Sequence, residues 1–189
     1  MKYFVVGMHG SGKQELANLL LEENIPYGKL FTNMPKLGMR FDEFDDKDII
    51  ELFENKAYIF IKEADEYTRN AYKGISLYEF DNNNVFLLSP DEFTAIPSNY
   101  LEGDNCIIWL DDNATNRKRR YNEEKQTYSF NEQEEFERRD LDEFVKHIYN
   151  NPKFHILYFT NDDIARISSI LYAIIKYPDL IKNFEKNFK

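Results

Sequence analysis

The sequence predicts an α/β fold, a parallel sheet flanked by helices, with a strand-containing insertion and a helical lid. Three observations carry this. The apolar run Tyr3-Phe4-Val5-Val6 leads directly into Gly7-Met8-His9-Gly10-Ser11-Gly12-Lys13-Gln14, and a helical pattern follows at once. Short apolar runs then recur at 85–88, 106–110 and 156–159, separated by helical or polar sequence. Strands that alternate with helices are joined by right-handed crossovers, which makes their sheet parallel. The stretch 28–86 interrupts that rhythm and reads as an inserted, strand-rich lobe.

Along the chain, each element has a local reason. The first helix starts near Gly12 and places Leu16, Leu19 and Leu20 on one face, until Ile25-Pro26 stops it. Asp45 or Asp46 can cap a second helix through Asn55, with Ile49, Ile50 and Phe53 at the spacing of a buried stripe. Residues 57–61 read as a strand, and 76–80 and 85–88 read as strands flanking a turn at Asp81-Asn82-Asn83-Asn84. The run Cys106-Ile107-Ile108-Trp109-Leu110 suits a central parallel strand buried on both faces. A polar helix follows through Arg120, then a long amphipathic helix over 132–149 with Phe136, Phe144, Val145 and Ile148 on one side. After the last strand, Asp162 or Asp163 caps a helix bearing Ile164, Ile167, Ile170, Leu171, Ile174 and Ile175.

Bulk properties narrow the possibilities further. A chain of 189 residues fits one domain with a sizeable core, and its 16 Phe and 13 Tyr supply much of the packing mass. The net charge of −10 argues against a general nucleic-acid binder, whose footprint is a basic face. Cys106 is the only cysteine, so no intramolecular disulfide and no cysteine-based zinc site is expected. No apolar run approaches the roughly 20 residues of a membrane span, and the apolar N-terminal run is short for a signal peptide. A cytoplasmic protein, monomer or homodimer, without nucleic-acid or membrane partners, is the expectation.

The octapeptide from Gly7 to Gln14 is where chemistry enters. A strand that ends in a glycine-rich turn and opens a helix aims backbone N–H groups and a helix N-terminus at one point, which suits a phosphate chain. Gly7, His9, Gly10, Ser11, Gly12, Lys13 and Gln14 are therefore expected around the phosphates of a nucleotide, with the Lys13 ammonium reaching the outer ones. Gln14 stands where a Ser or Thr hydroxyl usually helps to hold magnesium, and its amide oxygen is the available substitute. Asp91, in Ser89-Pro90-Asp91-Glu92 after an apolar strand, either reaches Mg2+ through water or caps the next helix. Arg117, Lys118, Arg119 and Arg120 form the one dense basic cluster: either a lid face that closes on phosphates or a solvated helix face. The ring of His9 is expected to point to solvent.

The order of these features resembles guanylate kinase, a family of P-loop nucleoside monophosphate kinases with a core, a monophosphate-binding lobe and a lid. The resemblance rests on the loop, on Thr32-Asn33-Met34-Pro35-Lys36-Leu37-Gly38-Met39, on Glu63 with Asn70-Ala71-Tyr72-Lys73-Gly74, and on Thr160-Asn161-Asp162-Asp163. It implies core segments 1–27, 84–110 and 150–189, a monophosphate-binding lobe at 28–83 and a lid at 111–149. It also implies ATP with Mg2+, and Asn161 beside the adenine. Thr32, Lys36, Arg40 and Tyr72 would hold the acceptor, Glu63 would read its base, and Phe41 or Phe44 would stack on it. Lys13, Arg117, Arg120 and one of Arg138 and Arg139, with Arg139 preferred, would act on the transferring phosphoryl group. Asn33 and Met39 depart from the family's arginine and glutamate, which leaves the acceptor base and sugar open. A nucleotide-binding module without turnover is the rival reading. A switch NTPase ranks last, because no NKxD run is present.

Overall fold

The computed structural model describes residues 1–33, 41–43, 51, 53–55, 57–63, 72–123, 129–150 and 153–177. In chain order the elements are β1 (Lys2–Val6), α1 (Lys13–Glu22), β2 (Leu30–Thr32), β3 (Phe41–Glu43), β4 (Tyr58–Glu63), β5 (Tyr72–Ser76) and α2 (Leu77–Asn82). They continue with β6 (Val85–Leu88), α3 (Pro90–Thr94), β7 (Asn105–Asp111), α4 (Ala114–Glu123), α5 (Phe130–Tyr149), β8 (Phe154–Thr160) and α6 (Ile164–Lys176).

The four strands predicted from apolar runs form one parallel sheet in the order β6-β1-β7-β8. Both inner strands are covered on both faces, which is why β1 and β7 are apolar at consecutive positions instead of alternating. On one face Val5, Leu87, Ile108 and Leu110 pack against Leu16 and Leu20 of α1 and Ile167 and Leu171 of α6. On the other face Phe4, Val6, Phe86 and Ile107 meet Phe93 of α3, Phe144 of α5 and the apolar side of a second sheet through Ile59, Phe60 and Ile75. That second sheet has the order β3-β2-β5-β4, antiparallel at β2·β5 and β5·β4 and parallel at β2·β3. The fold is thus the α/β arrangement the sequence predicts, with the strand-rich insertion forming a sheet of its own.

Two elements differ from expectation. The strand predicted at 76–80 ends at Ser76, and residues 77–82 are helical. Ser76 accepts a hydrogen bond from the Glu79 N–H at 3.1 Å, so a local cap won over the apolar pattern, and Phe80 anchors the short helix in the core. Phe53, expected on a buried stripe, is exposed, while Ile49 and Ile50 lie outside the described residues.

The long helix α5 begins where the sequence closes a capping box. Ser129 Oγ accepts from Glu132 N at 3.3 Å, and the Glu132 carboxylate accepts from Ser129 N at 2.9 Å. Seven residues separate Phe130, Glu137 and Phe144, the three buried positions of this helix. Phe144 is an anchor: its ring lies 5.3 Å from Trp109 and 5.4 Å from Phe93. Substituting Phe144→Ala is expected to cost about 3–5 kcal/mol of stability. Urea unfolding followed by the fluorescence of Trp109, the one tryptophan, measures it. A loss under about 1 kcal/mol would show that α5 is not held by this contact.

Candidate functional site

The loop predicted to cradle phosphate lies at the C-terminal end of β1, an interior strand of the parallel sheet, where open α/β sheets bind their ligands. Its first residue is tied to the neighbouring strand, because Gly7 N donates to Leu88 O at 3.1 Å. Gly10 and Gly12 have φ of +72° and +104°, a region that L side chains rarely adopt. A Cβ would also collide there, 2.7 Å from Arg117 O at Gly10 and 1.9 Å from Asn161 Nδ2 at Gly12. Lys13 opens α1, is buried, and donates from Nζ to Met8 O at 2.8 Å and to Gly7 O. Its ammonium is therefore folded over the loop that carries it. Ser11 Oγ and Gln14 Nε2 are buried and find no hydrogen-bond partner among the described residues. Orphaned polar atoms in a loop of backbone N–H groups, with an ammonium above it, fit a polyphosphate.

The basic cluster divides by face. Arg117 and Arg120, one helical turn apart on α4, turn inward, whereas Lys118 and Arg119 are exposed and Arg119 pairs with Glu123 at 2.9 Å. Arg117 Nε donates to His9 O at 3.0 Å, and Arg120 NH1 donates to Gly10 O at 2.8 Å. Both guanidiniums thus grip loop carbonyls. Asn161 supplies a third hold: its Nδ2 donates to Ser11 O at 3.1 Å and to Glu15 Oε2 at 2.9 Å, while its Oδ1 accepts from Arg120 at 2.6 Å. Arg120 also pairs with Asp112 at 2.5 Å. Burial works against ionisation of Asp112, but the hydrogen bonds from Arg120 and Asn116 outweigh it and lower its pKa.

Glu137 of α5 completes this arrangement, and the sequence reading missed it. Its carboxylate accepts from the backbone N–H of His9 and pairs with Arg117 NH2 at 2.7 Å, both side chains being almost fully buried. The signal was present: Glu137 stands seven residues from both Phe130 and Phe144, on the apolar stripe of its helix, where an acid is buried only if paired. The ring of His9 does not point to solvent as expected but meets Tyr121 edge-on at 5.4 Å.

Asp91 is placed differently from either expectation. Its carboxylate is held by Lys62 at 2.7 Å and Lys73 at 3.1 Å, opposite one another in the β4·β5 pair, and by the Ser89 hydroxyl. The cap of α3 is supplied by Glu92, which accepts from Ser89 N at 2.7 Å and pairs with Lys73 at 3.0 Å. Burial alone would raise the Asp91 carboxyl, but the Lys73 and Lys62 ammoniums hold it well below the usual carboxylate range. Lys73 shows the reciprocal result: burial pulls it down, and Glu92 and Asp91 raise it. With its charge engaged by two lysines, Asp91 does not fit a magnesium ligand. Among the described residues no three His, Cys, Asp or Glu side chains are grouped to hold a metal, which leaves the Gln14 amide oxygen and the Ser11 hydroxyl as the loop's side-chain oxygens.

The residues expected to hold the acceptor lie partly outside the described residues. Thr32 is buried and donates from Oγ1 to Tyr72 O at 2.8 Å, and Asn33 Oδ1 accepts from Tyr72 N at 2.7 Å. These two side chains therefore bracket the start of β5. Glu63 is exposed at the end of β4, opposite Tyr72. Lys36, Arg40 and Phe44 lie outside the described residues, and of Phe41 the structure describes the backbone alone. Arg139 is exposed and lies over the ring of Phe136 at 6.0 Å. Its neighbour Arg138 is the one that lines a cavity of about 540 Å³ with Met8, Glu134 and Leu141, beside the loop.

Comparisons with known proteins leave this geometry as the main guide. No protein-family model matches the chain, and no curated protein matches it. Among solved structures, the crystal structure of guanylate kinase from Anaplasma phagocytophilum is similar with a TM-score of 0.48 and 18% sequence identity, covering 92% of this chain and 85% of that chain.

Two measurements check the site. Gly12→Ala is expected to destabilise the protein by about 1–2 kcal/mol from φ alone, and more because the Asn161 amide must move. An unfolding midpoint equal to that of the parent would contradict the packing of the loop against Asn161. Asp140 has a raised pKa, because burial and the nearby Asp91 charge both oppose its ionisation. The folded state therefore binds this proton more tightly than the unfolded chain, a contribution present below the unfolded aspartate value and lost as pH rises through the folded one. Asp140→Asn should raise the melting temperature at neutral pH, with the gap closing below about pH 4. A gap independent of pH would contradict this.

Proposed function

We propose that the protein transfers a phosphoryl group from ATP to a nucleoside or deoxynucleoside monophosphate. The observation that carries this reading is the loop itself, held open at the end of an interior parallel strand, with Lys13 folded over it and Arg117 and Arg120 converging on its carbonyls. Phosphoryl transfer depends on positioning and on cancelling charge around the moving group. Lys13 supplies a movable ammonium for that purpose. Arg117, Arg120 and Asn161 act first as positioning residues, since their donors are spent on loop carbonyls and not on an open pocket. When bound, ATP would supply the phosphoryl group and Mg2+ would neutralise its oxygens, with Gln14, in the place of the usual Ser or Thr hydroxyl, the loop side chain proposed to help hold the metal. Thr32 and Tyr72, which meet where β2 and β5 pair, are proposed to lie on the acceptor's side. Lys36, Arg40 and Glu63 belong to the same proposal through the resemblance to guanylate kinase.

One observation favours a second reading, a nucleotide-binding module with little turnover. Asp91 is locked to Lys62 and Lys73, so the acid after β6 is withdrawn from metal chemistry. Measuring ADP release with each common ribo- and deoxyribonucleoside monophosphate separates the two. One or a few acceptors should stimulate ADP release, and Lys13→Ala should lower that rate on the order of 100-fold or more. Tight ATP binding without stimulation by any acceptor would leave the binding module. ATP affinity and turnover unchanged by Lys13→Ala would remove both readings.

A further inference from the structure

β8 closes one side of the parallel sheet, and among the described residues it pairs only with β7. An edge strand is normally short, charged or covered, because its unpaired N–H and C=O groups invite another strand. This one is seven residues long, Phe-His-Ile-Leu-Tyr-Phe-Thr, and carries no Asp, Glu, Lys or Arg. Its middle is bare on both faces, with Ile156 52%, Leu157 43% and Tyr158 63% exposed. Alternation places Ile156 and Tyr158 on the face where Phe154 packs beneath α5.

The long helix α5 carries exposed apolar residues of its own. Phe144 points into the core, and His147 turns toward α3, its ring 5.8 Å from Phe93. At 100° per residue Val145 and Tyr149 fall on the flank of α5 opposite His147, whose ring also lies 6.5 Å from Phe154 of β8. They are 55% and 87% exposed. Ile156, Leu157 and Tyr158 adjoin one another along an edge whose backbone has no strand partner beyond β7 among the described residues, whereas isolated exposed apolar residues would be unremarkable.

We propose that this surface is the interface of a homodimer in which β8 pairs antiparallel with β8 of a second copy, across a two-fold axis at Leu157. Self-pairing is what a two-fold axis imposes on a shared edge, and it closes the sheet instead of propagating it. In this register Ile156 lies opposite Tyr158 twice, an aliphatic–aromatic cross-strand pair of the favourable kind. β8 itself carries no Asp, Glu, Lys or Arg despite the chain's net charge of −10, and the neighbouring carboxylate of Asp111 is engaged by the Tyr158 hydroxyl at 3.0 Å. At the rim the charges are complementary. Exposed Lys153 just before β8 lies opposite Asn161, so it meets the turn carrying exposed Asp162 on the other copy, twice by symmetry. This inference does not depend on the proposed activity.

Size-exclusion chromatography with light scattering on the full chain tests it. The expected mass is twice 22.6 kDa at micromolar concentration. Ile156→Lys should give monomers with an unchanged circular-dichroism spectrum. Lys153→Glu should weaken the dimer about tenfold or more, and adding Asp162→Lys to that variant should restore it. Restoration by the charge swap is a readout that a misfolded strand cannot mimic. A monomer at all concentrations would overturn the proposal, and is the result expected if another protein or residues 178–189 of the same chain cover the patch. Growth beyond the dimer with concentration, or a swap that fails to restore, would overturn it equally.

Discussion

The loop between β1 and α1 keeps its shape because a buried ion pair stands behind it. Arg117 reaches the His9 carbonyl with one nitrogen and the Glu137 carboxylate with another, and that carboxylate returns to the His9 N–H. His9 is thus clamped at its carbonyl from α4 and at its N–H from α5, which fixes two successive peptide groups of the loop. Removing either partner of such a pair leaves an uncompensated buried charge, a cost of about 3–5 kcal/mol, so the two helices and the loop act as one unit. Arg120 and Asn161 repeat the device further along, on the carbonyls of Gly10 and Ser11. These contacts fix the course of the loop's backbone before any ligand arrives.

The clamp also has a chemical consequence. A carboxylate is an anion, and Glu137 sits on an N–H that a phosphate oxygen would otherwise take. An anion taking that N–H would have to displace Glu137 from His9, which would couple occupancy of the loop to the first half of α5. The second half of the helix is fixed independently by Phe144 against Trp109 and Phe93. The lysine pair on β4 and β5 has an analogous effect on Asp91: an ionised acid in the first turn of α3 is paired with two ammoniums, tying the second sheet to the core.

Much of this architecture was legible in the sequence, for a physical reason. Consecutive apolar residues mark strands buried on both faces, and the glycine-rich turn after the first of them has few other uses. Where reading failed, a local or a distant partner decided the outcome. Ser76 stopped a strand by capping a helix, a contact three residues long that competes with β pattern. Asp91 was read against the loop, but its partners Lys62 and Lys73 come from strands of the inserted sheet, and nothing in their spacing announces that they converge. Glu137 was hidden among the acids of α5, and only its place on the apolar stripe distinguished it. The inward turn of Arg117 and Arg120, against the outward one of Lys118 and Arg119, follows from helical spacing once the loop's position is known.

The central claim is that the backbone of the loop, and no other surface, receives a polyphosphate. Amide hydrogen exchange resolved by residue, with and without ATP, tests it most directly. The account expects exchange to slow at residues 8–14 on adding ATP, with the amides at the start of α5 changing as Glu137 leaves His9. Unchanged exchange throughout residues 8–14 under saturating ATP, with protection confined to another part of the chain, would contradict it.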